Sequence, residues 1–302
     1  MKVIPPLPIT DALLISSSIP EPAPGETVWA SGATCAVGDL RIRTATHRVY
    51  ERLVAGAGTT PPESDPINWR DAGPTLRWAM FDLERSSQSV MTAAPLVVEI
   101  APGQRINSIG LVGLYGASVR IEELVSGVPV YDRSINLLLR STISWSQYYY
   151  GQFRVLKGLA RFDLPMSAGA TIRVTINPTA GFARCGGFIV GMAEDLGTII
   201  DEPVSDSQNF SKVTRDEFGV ATLVKRPNVP LLQHRVRADA VRLNRLRELR
   251  DDLDAVPALY SGADDRESSH FFDTLLVLGF PRKWSIALRA ERVVSDLQLE
   301  EI

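Results

Sequence analysis

The residues that could do chemistry are few and widely spaced. The three histidines, His47, His234 and His270, lack the close spacing of metal ligands, and neither Cys35 nor Cys185 sits in a Cys-x-x-Cys pair. No zinc site is expected. Asp264, Asp265 and Glu267 follow Gly262 in a polar loop, but without the alternating ligands and central glycine of a helix-loop-helix calcium site they read as solvated charges. Neighbouring carboxylates such as Asp82 with Glu84, or Glu122 with Glu123, are what a glycosidase would draw on, yet such pairs are common in strand-rich chains. No Gly-x-Ser-x-Gly elbow is present. Gly110, Gly113 and Gly116 are not followed by Lys-Ser or Lys-Thr, so they read as strand and turn glycines rather than a phosphate loop. The expectation is a protein with no catalytic residue, no metal and no cofactor.

Stacking on aromatic rings is the remaining chemistry. Trp29, Tyr50, Trp69 and Trp78 fall within one stretch of about fifty residues, and Trp145, Tyr148, Tyr149 and Tyr150 crowd a second, shorter one. Rings so placed either grip a ligand, such as a sugar or a partner protein, or fill a core. In the second cluster the core reading has alternate rings entering a sandwich, because strands favour aromatics.

The element that must position the first set runs over residues 28–78. Gly38-Asp39 marks a tight turn, His47 to Val54 can pair with Asp39 to Arg43, and Gly56 to Pro66 is too rich in Gly and Pro for regular structure. These residues resemble a known family. Trp29, Cys35-Ala-Val-Gly38-Asp39, Tyr50, Pro61-Pro62 and Trp69 are similar to the small chitin- and cellulose-binding module (type 5/12) of many chitinases and phage virion proteins. That resemblance implies sugar stacking at Trp69. Cys35 and Arg70 stand where the family often has aromatics.

The rest of the chain surrounds this module. Its 302 residues carry 45% hydrophobic and 22% charged side chains, and a net charge of -3 disfavours a nucleic-acid backbone as the main ligand. The two cysteines read as buried thiols in separate domains, as suits a reducing cytoplasm. No apolar run is long enough for a membrane span. Residues 1–27, with Ile4-Pro-Pro-Leu-Pro and Ser16-Ser-Ser-Ile-Pro-Glu-Pro-Ala-Pro-Gly25, predict an extended proline-rich segment, either a linker or an arm lying on a neighbouring subunit. Residues 79–200 hold short apolar runs at intervals of about ten, such as the alternating Ala170-Thr-Ile-Arg-Val-Thr-Ile176, and predict an antiparallel, jelly-roll-like β-sandwich. Residues 201–302 predict a small α+β domain: a hairpin near Phe218-Gly219, a helix from Asp239 to Leu253, and strands over Phe271 to Leu278, Trp284 to Leu288 and Val293 to Leu299. The arginine face of that helix, with Arg242, Arg245, Arg247 and Arg250, reads as solvated and partly self-paired.

The fold class expected is therefore mainly β. Gly279-Phe280-Pro-Arg-Lys-Trp284-Ser-Ile-Ala-Leu288 and Asp296-Leu-Gln-Leu-Glu300 resemble the C-terminal signature of tailed-bacteriophage virion proteins. Together the two resemblances imply a structural component of a phage tail or baseplate. Such a protein would be assembled in the host cytoplasm, located in the virion, and partnered by other tail subunits in a symmetric homo-oligomer. The alternative they imply is a receptor-recognition protein that binds a host-surface polysaccharide.

Overall fold

The computed structural model describes residues 1–84, 86–140, 144–226, 228–264, 271–289 and 291–302. The fold is mainly β and predominantly antiparallel. Its sheets lie in successive layers. A five-stranded sheet orders Val128–Asn136, Ser118–Val125, Ala170–Asn177, Leu96–Ile100 and Leu14–Ser17. It faces a three-stranded sheet of Gly158–Arg161, Ser108–Val112 and Gly187–Gly191, and Leu96, Val98, Ile121, Val174, Ile109 and Leu111 meet in the core between them.

The three-stranded sheet is covered on its other face too. Ala160 and Ile189 point away from the sandwich core and pack against Ile4, Leu259, Phe272 and Leu278 of an eight-stranded C-terminal sheet. Burial on both faces explains why Ser108–Val112 and Gly187–Gly191 read as continuous apolar and glycine runs rather than alternating ones. The glycines set the spacing. A Cβ on Gly110 would stand 1.9 Å from Leu259 Cδ2, and one on Gly191 would stand 2.3 Å from the Pro5 carbonyl oxygen. On its far side the C-terminal sheet is closed by the helix Leu243–Asp252, whose Leu246 and Leu249 are buried together with Val236, Tyr260 and Leu297.

Residues 1–27, expected as a linker or an arm on a neighbour, are instead built into the chain's own sheets. Lys2–Ile4 is an inner strand of the C-terminal sheet, between Glu194–Asp195 and Ala258–Ser261, with Val3 and Ile4 fully buried. Leu14–Ser17 pairs with Leu96–Ile100 at the edge of the sandwich. The prolines between them end each strand without preventing either, since they fall outside the paired residues.

Glu21 ties this segment to the module and the sandwich. Its nearly buried carboxylate accepts from Thr75 Oγ1 (2.8 Å) and from Trp78 Nε1 (3.1 Å), and it pairs with His47 Nδ1 (2.9 Å). His47 Nε2 reaches Asp11 Oδ2 at 2.9 Å, and the imidazole stacks on Trp78 at 4.2 Å.

Several C-terminal boundaries differ from expectation. The stretch Asn228–Asp239 is a strand, so the helix starts only after a short 3-10 turn at Ala240–Arg242. Phe272–Leu275 is a helical turn, and Leu276–Arg289 is one long strand that passes Pro281 by a register shift between Pro281 and Lys283. Asp265, Glu267 and His270 lie outside the described residues, while Asp264 pairs with Lys2 at 2.9 Å. Arg242 and Arg245 close onto Asp195 and Glu194, so part of the helix's arginine face is paired within the chain. Among the described residues no helix is long and apolar enough to cross a membrane.

Two measurements check this architecture. Ile4→Ala should cost about 2–5 kcal/mol in urea unfolding, as expected for a fully buried aliphatic residue, whereas an unpacked arm would register almost nothing. The pH dependence should have two opposed limbs. Burial works against His47 protonation, but its hydrogen bonds to Asp11 and Glu21 outweigh this and raise its pKa above 6.5. Its contribution is thus complete below that value and lost as pH rises through the raised one. Burial, helped by the nearby N-terminal ammonium, lowers His234 from 6.5 to about 4, so stability falls as pH drops between those values. Glu21→Gln should flatten the first limb and His234→Leu the second.

Candidate functional site

Within residues 28–78 the rings form interior rather than surface. Cys35, Tyr50 and Trp69 make a small core with Trp29 packed against it, and Trp69, only 4% exposed, lies beneath Arg52 at 4.9 Å. Trp29 is half-buried and covered by Arg43 at 5.0 Å. Trp78 belongs to the sandwich core. The expected sugar platform of Trp29, Tyr50, Trp69 and Trp78 is therefore not assembled: Tyr50, Trp69 and Trp78 are buried, and they sit in two different cores. The physical reason is size. A module of two short sheets, Leu40–Arg43 with Arg48–Arg52 and Trp69–Pro74, and Thr34–Cys35 with Gly56–Ala57, has few other large side chains with which to exclude water.

The second aromatic cluster is the exposed one. Trp145–Tyr150 is a one-and-a-half-turn helix, not a strand, with Ser144 Oγ accepting from the Gln147 amide at 3.3 Å and the Gly151 amide closing onto the Gln147 carbonyl. Trp145 is 79% exposed, Tyr149 69% and Tyr150 86%, with Tyr148 and Phe153 about half so. The alternation of rings into the sandwich core, one of the two expectations for this cluster, does not occur. The rings are nonetheless organised. Trp145 meets Tyr148 edge-on at 6.2 Å, Tyr148 meets Tyr149 at 5.3 Å, and the Arg140 guanidinium lies over both Tyr148 (5.0 Å) and Phe153 (4.7 Å). The short ladder Leu138–Leu139 with Arg154–Val155 holds the base of this loop, and Leu137 and Leu156 on either side are anchored in the sandwich core.

The hairpin expected near Phe218-Gly219 is present, and its exposure is what sequence reasoning missed. Lys212–Arg215 and Ala221–Val224 form a hairpin exposed at every strand residue, closing over Asp216 to Val220. It displays Val213 and Leu223 side by side, with Phe218, 89% exposed, at its tip.

Among the described residues, the titratable groups Asp11, His47 and Glu21 converge, and these fasten the module to the sandwich. Burial raises the Glu123 carboxyl, with Ser167 opposing it, and burial likewise raises Asp82, held by Ser87 and the Glu84 amide. Burial pushes the Cys185 thiol up to about 12, and both cysteines are free and buried. Among the described residues no group of three or more His, Cys, Asp or Glu could hold a metal ion. What the exposed geometry can do is bind.

Comparison with known proteins adds little to this picture. No family model matches the chain, and no curated protein matches it. Among solved structures it is similar to a fucose-binding module of Streptococcus pneumoniae, SpX-3, at 14% identity and a TM-score of 0.27, over 38% of this chain and 83% of that one. A likeness of that size carries no functional argument.

The exposure of the two aromatic clusters can be read directly in solution. Trp145→Phe should remove most of the tryptophan emission that iodide quenches, whereas Trp69→Phe should leave the quenchable emission unchanged.

Proposed function

We propose that the protein is a structural subunit of a tailed-phage tail or baseplate, docking onto neighbouring subunits through the hairpin over residues 212–224. The observation that carries the assembly part of this reading is the hairpin's exposure. Val213, Phe218, Val220, Leu223 and Val224 are all between 47% and 89% exposed, and Phe210 beside the hairpin's root is exposed as well. A two-stranded ladder has no core of its own, and a soluble monomer rarely displays so many large aliphatic side chains together. A partner that covers them would stabilise the ladder and remove the patch from water in one step. The virion setting rests on the C-terminal resemblance over Gly279 to Glu300. The occupant proposed is a second copy of this chain in a symmetric ring. In it, Val213 and Leu223 of one hairpin face, with Phe218 at the tip, would be buried.

Light scattering on the purified chain tests this. The wild type should associate at tens of micromolar, and Val213→Asp with Leu223→Asp should leave a monomer with an unchanged near-ultraviolet spectrum. A wild type that stays monomeric at those concentrations would contradict the proposal.

A further inference from the structure

The two exposed apolar features differ in kind. The hairpin displays Val, Leu and Phe, whereas Ser144 to Arg154 contains no Leu, Ile, Val or Met and displays Trp145, Tyr148, Tyr149, Tyr150 and Phe153 among Ser, Gln and Arg. Tyrosine and tryptophan offer a flat apolar face with a polar edge. That suits a ligand whose own faces are C–H and whose rim is hydroxyl, which describes a sugar ring better than an aliphatic protein surface.

Charge narrows the ligand further. Between Asp132 and Asp163 the chain has no acidic residue, but it carries Arg133, Arg140, Arg154, Lys157 and Arg161. Beside the ring-bearing loop lies a groove of about 440 Å³, walled by Leu139 and Leu156 from the base of that loop and rimmed by Arg133 and Arg161. Arg161 Nε is buried there without a hydrogen-bond partner. An arginine that lines an open groove can take an oxyanion there, because Arg binds carboxylate and phosphate through its N–H fork. The base of the ring-bearing loop is thus also a wall of the groove that the guanidinium groups rim.

We propose that the aromatic helix Trp145–Tyr150 and the groove beside it bind an anionic glycan, a polysaccharide whose sugar rings stack on Trp145 and Tyr149 while its carboxylate or phosphate groups meet Arg133 and Arg161. A single-stranded nucleic acid also combines stacking with negative charge. Both are polyanions, so the net charge of -3 does not separate them; the exposed Tyr148, Tyr149 and Tyr150, whose phenol hydroxyls can meet the hydroxyl rim of a sugar, favour the acidic sugar polymer.

Calorimetric titration of the full chain at low salt with four probes decides the matter: oligogalacturonate, a glycerol-phosphate teichoic acid, neutral dextran and oligo-dT. At least one of the two acidic glycans should bind about tenfold or more tighter than dextran, and which one binds separates carboxylate from phosphate recognition. Trp145→Ala with Tyr149→Ala should weaken that binding about tenfold or more. Arg133→Gln should weaken it and reduce its salt dependence. These side chains are exposed, so thermal unfolding of the variants should match the wild type, and Trp69→Phe should leave binding intact. Acidic glycans that bind no better than dextran, binding indifferent to the ring variants, or oligo-dT binding tighter than both glycans would each overturn the proposal.

Discussion

The three-stranded sheet of Gly158–Arg161, Ser108–Val112 and Gly187–Gly191 is buried on both faces, and the rest of the molecule follows from that constraint. A strand with two dry faces needs a partner layer on each. The five-stranded sheet supplies one and the C-terminal sheet the other, so the two sheet systems share a wall instead of meeting as separate domains. Small residues on the C-terminal side of that wall, Gly110, Ala160, Gly187 and Gly191, let the layers approach closely enough for Leu259 and Ile4 to fill the space. The start of the chain completes the arrangement. Val3 faces the helix side of the C-terminal sheet and Ile4 faces the shared wall, so two adjacent residues serve two cores.

What protrudes from this packed body is correspondingly distinct. The Glu21 carboxylate holds His47, Thr75 and Trp78 and so fastens the small module to the sandwich, turning Trp78 into anchorage. The hairpin over residues 212–224 and the aromatic helix Trp145–Tyr150 are two clusters of large apolar side chains left without cover. One is aliphatic, as protein contacts tend to be, and the other is aromatic and basic. That difference in chemistry is why assembly and ligand binding are assigned to separate places.

The legible parts of the sequence were those where local pattern and burial agree. Ala170–Asn177 alternates because one face is wet, and Leu246, Leu249 and Leu253 recur at helical spacing because one stripe is dry. The hairpin turn at Phe218-Gly219 announced itself through its glycine, which has a φ of 79°. Other elements carry no local signal. Lys2–Ile4 is three residues followed by prolines, and only the edges of Glu194–Asp195 and Ala258–Ser261 make it a strand. The aromatic run was ambiguous because ring residues favour strands, while the capping Ser144 and the closing Gly151 decide for a short helix. The burial of Tyr50 and Trp69 was foreshadowed by the module's size, and the resemblance to a sugar-binding family pulled the other way.

The central claim is that Lys2–Ile4 and Leu14–Ser17 are structural strands of a single body, from which the hairpin and the aromatic helix project. Native-state hydrogen exchange of the isolated protein tests it most directly. The account predicts that the amides of Lys2–Ile4 that pair with Ala258–Ser261 exchange as slowly as those of Ser108–Val112, while those of Lys212–Arg215 and Trp145–Tyr150 exchange rapidly. Fast exchange throughout the first seventeen residues, at the rate of an unpaired chain, would contradict it.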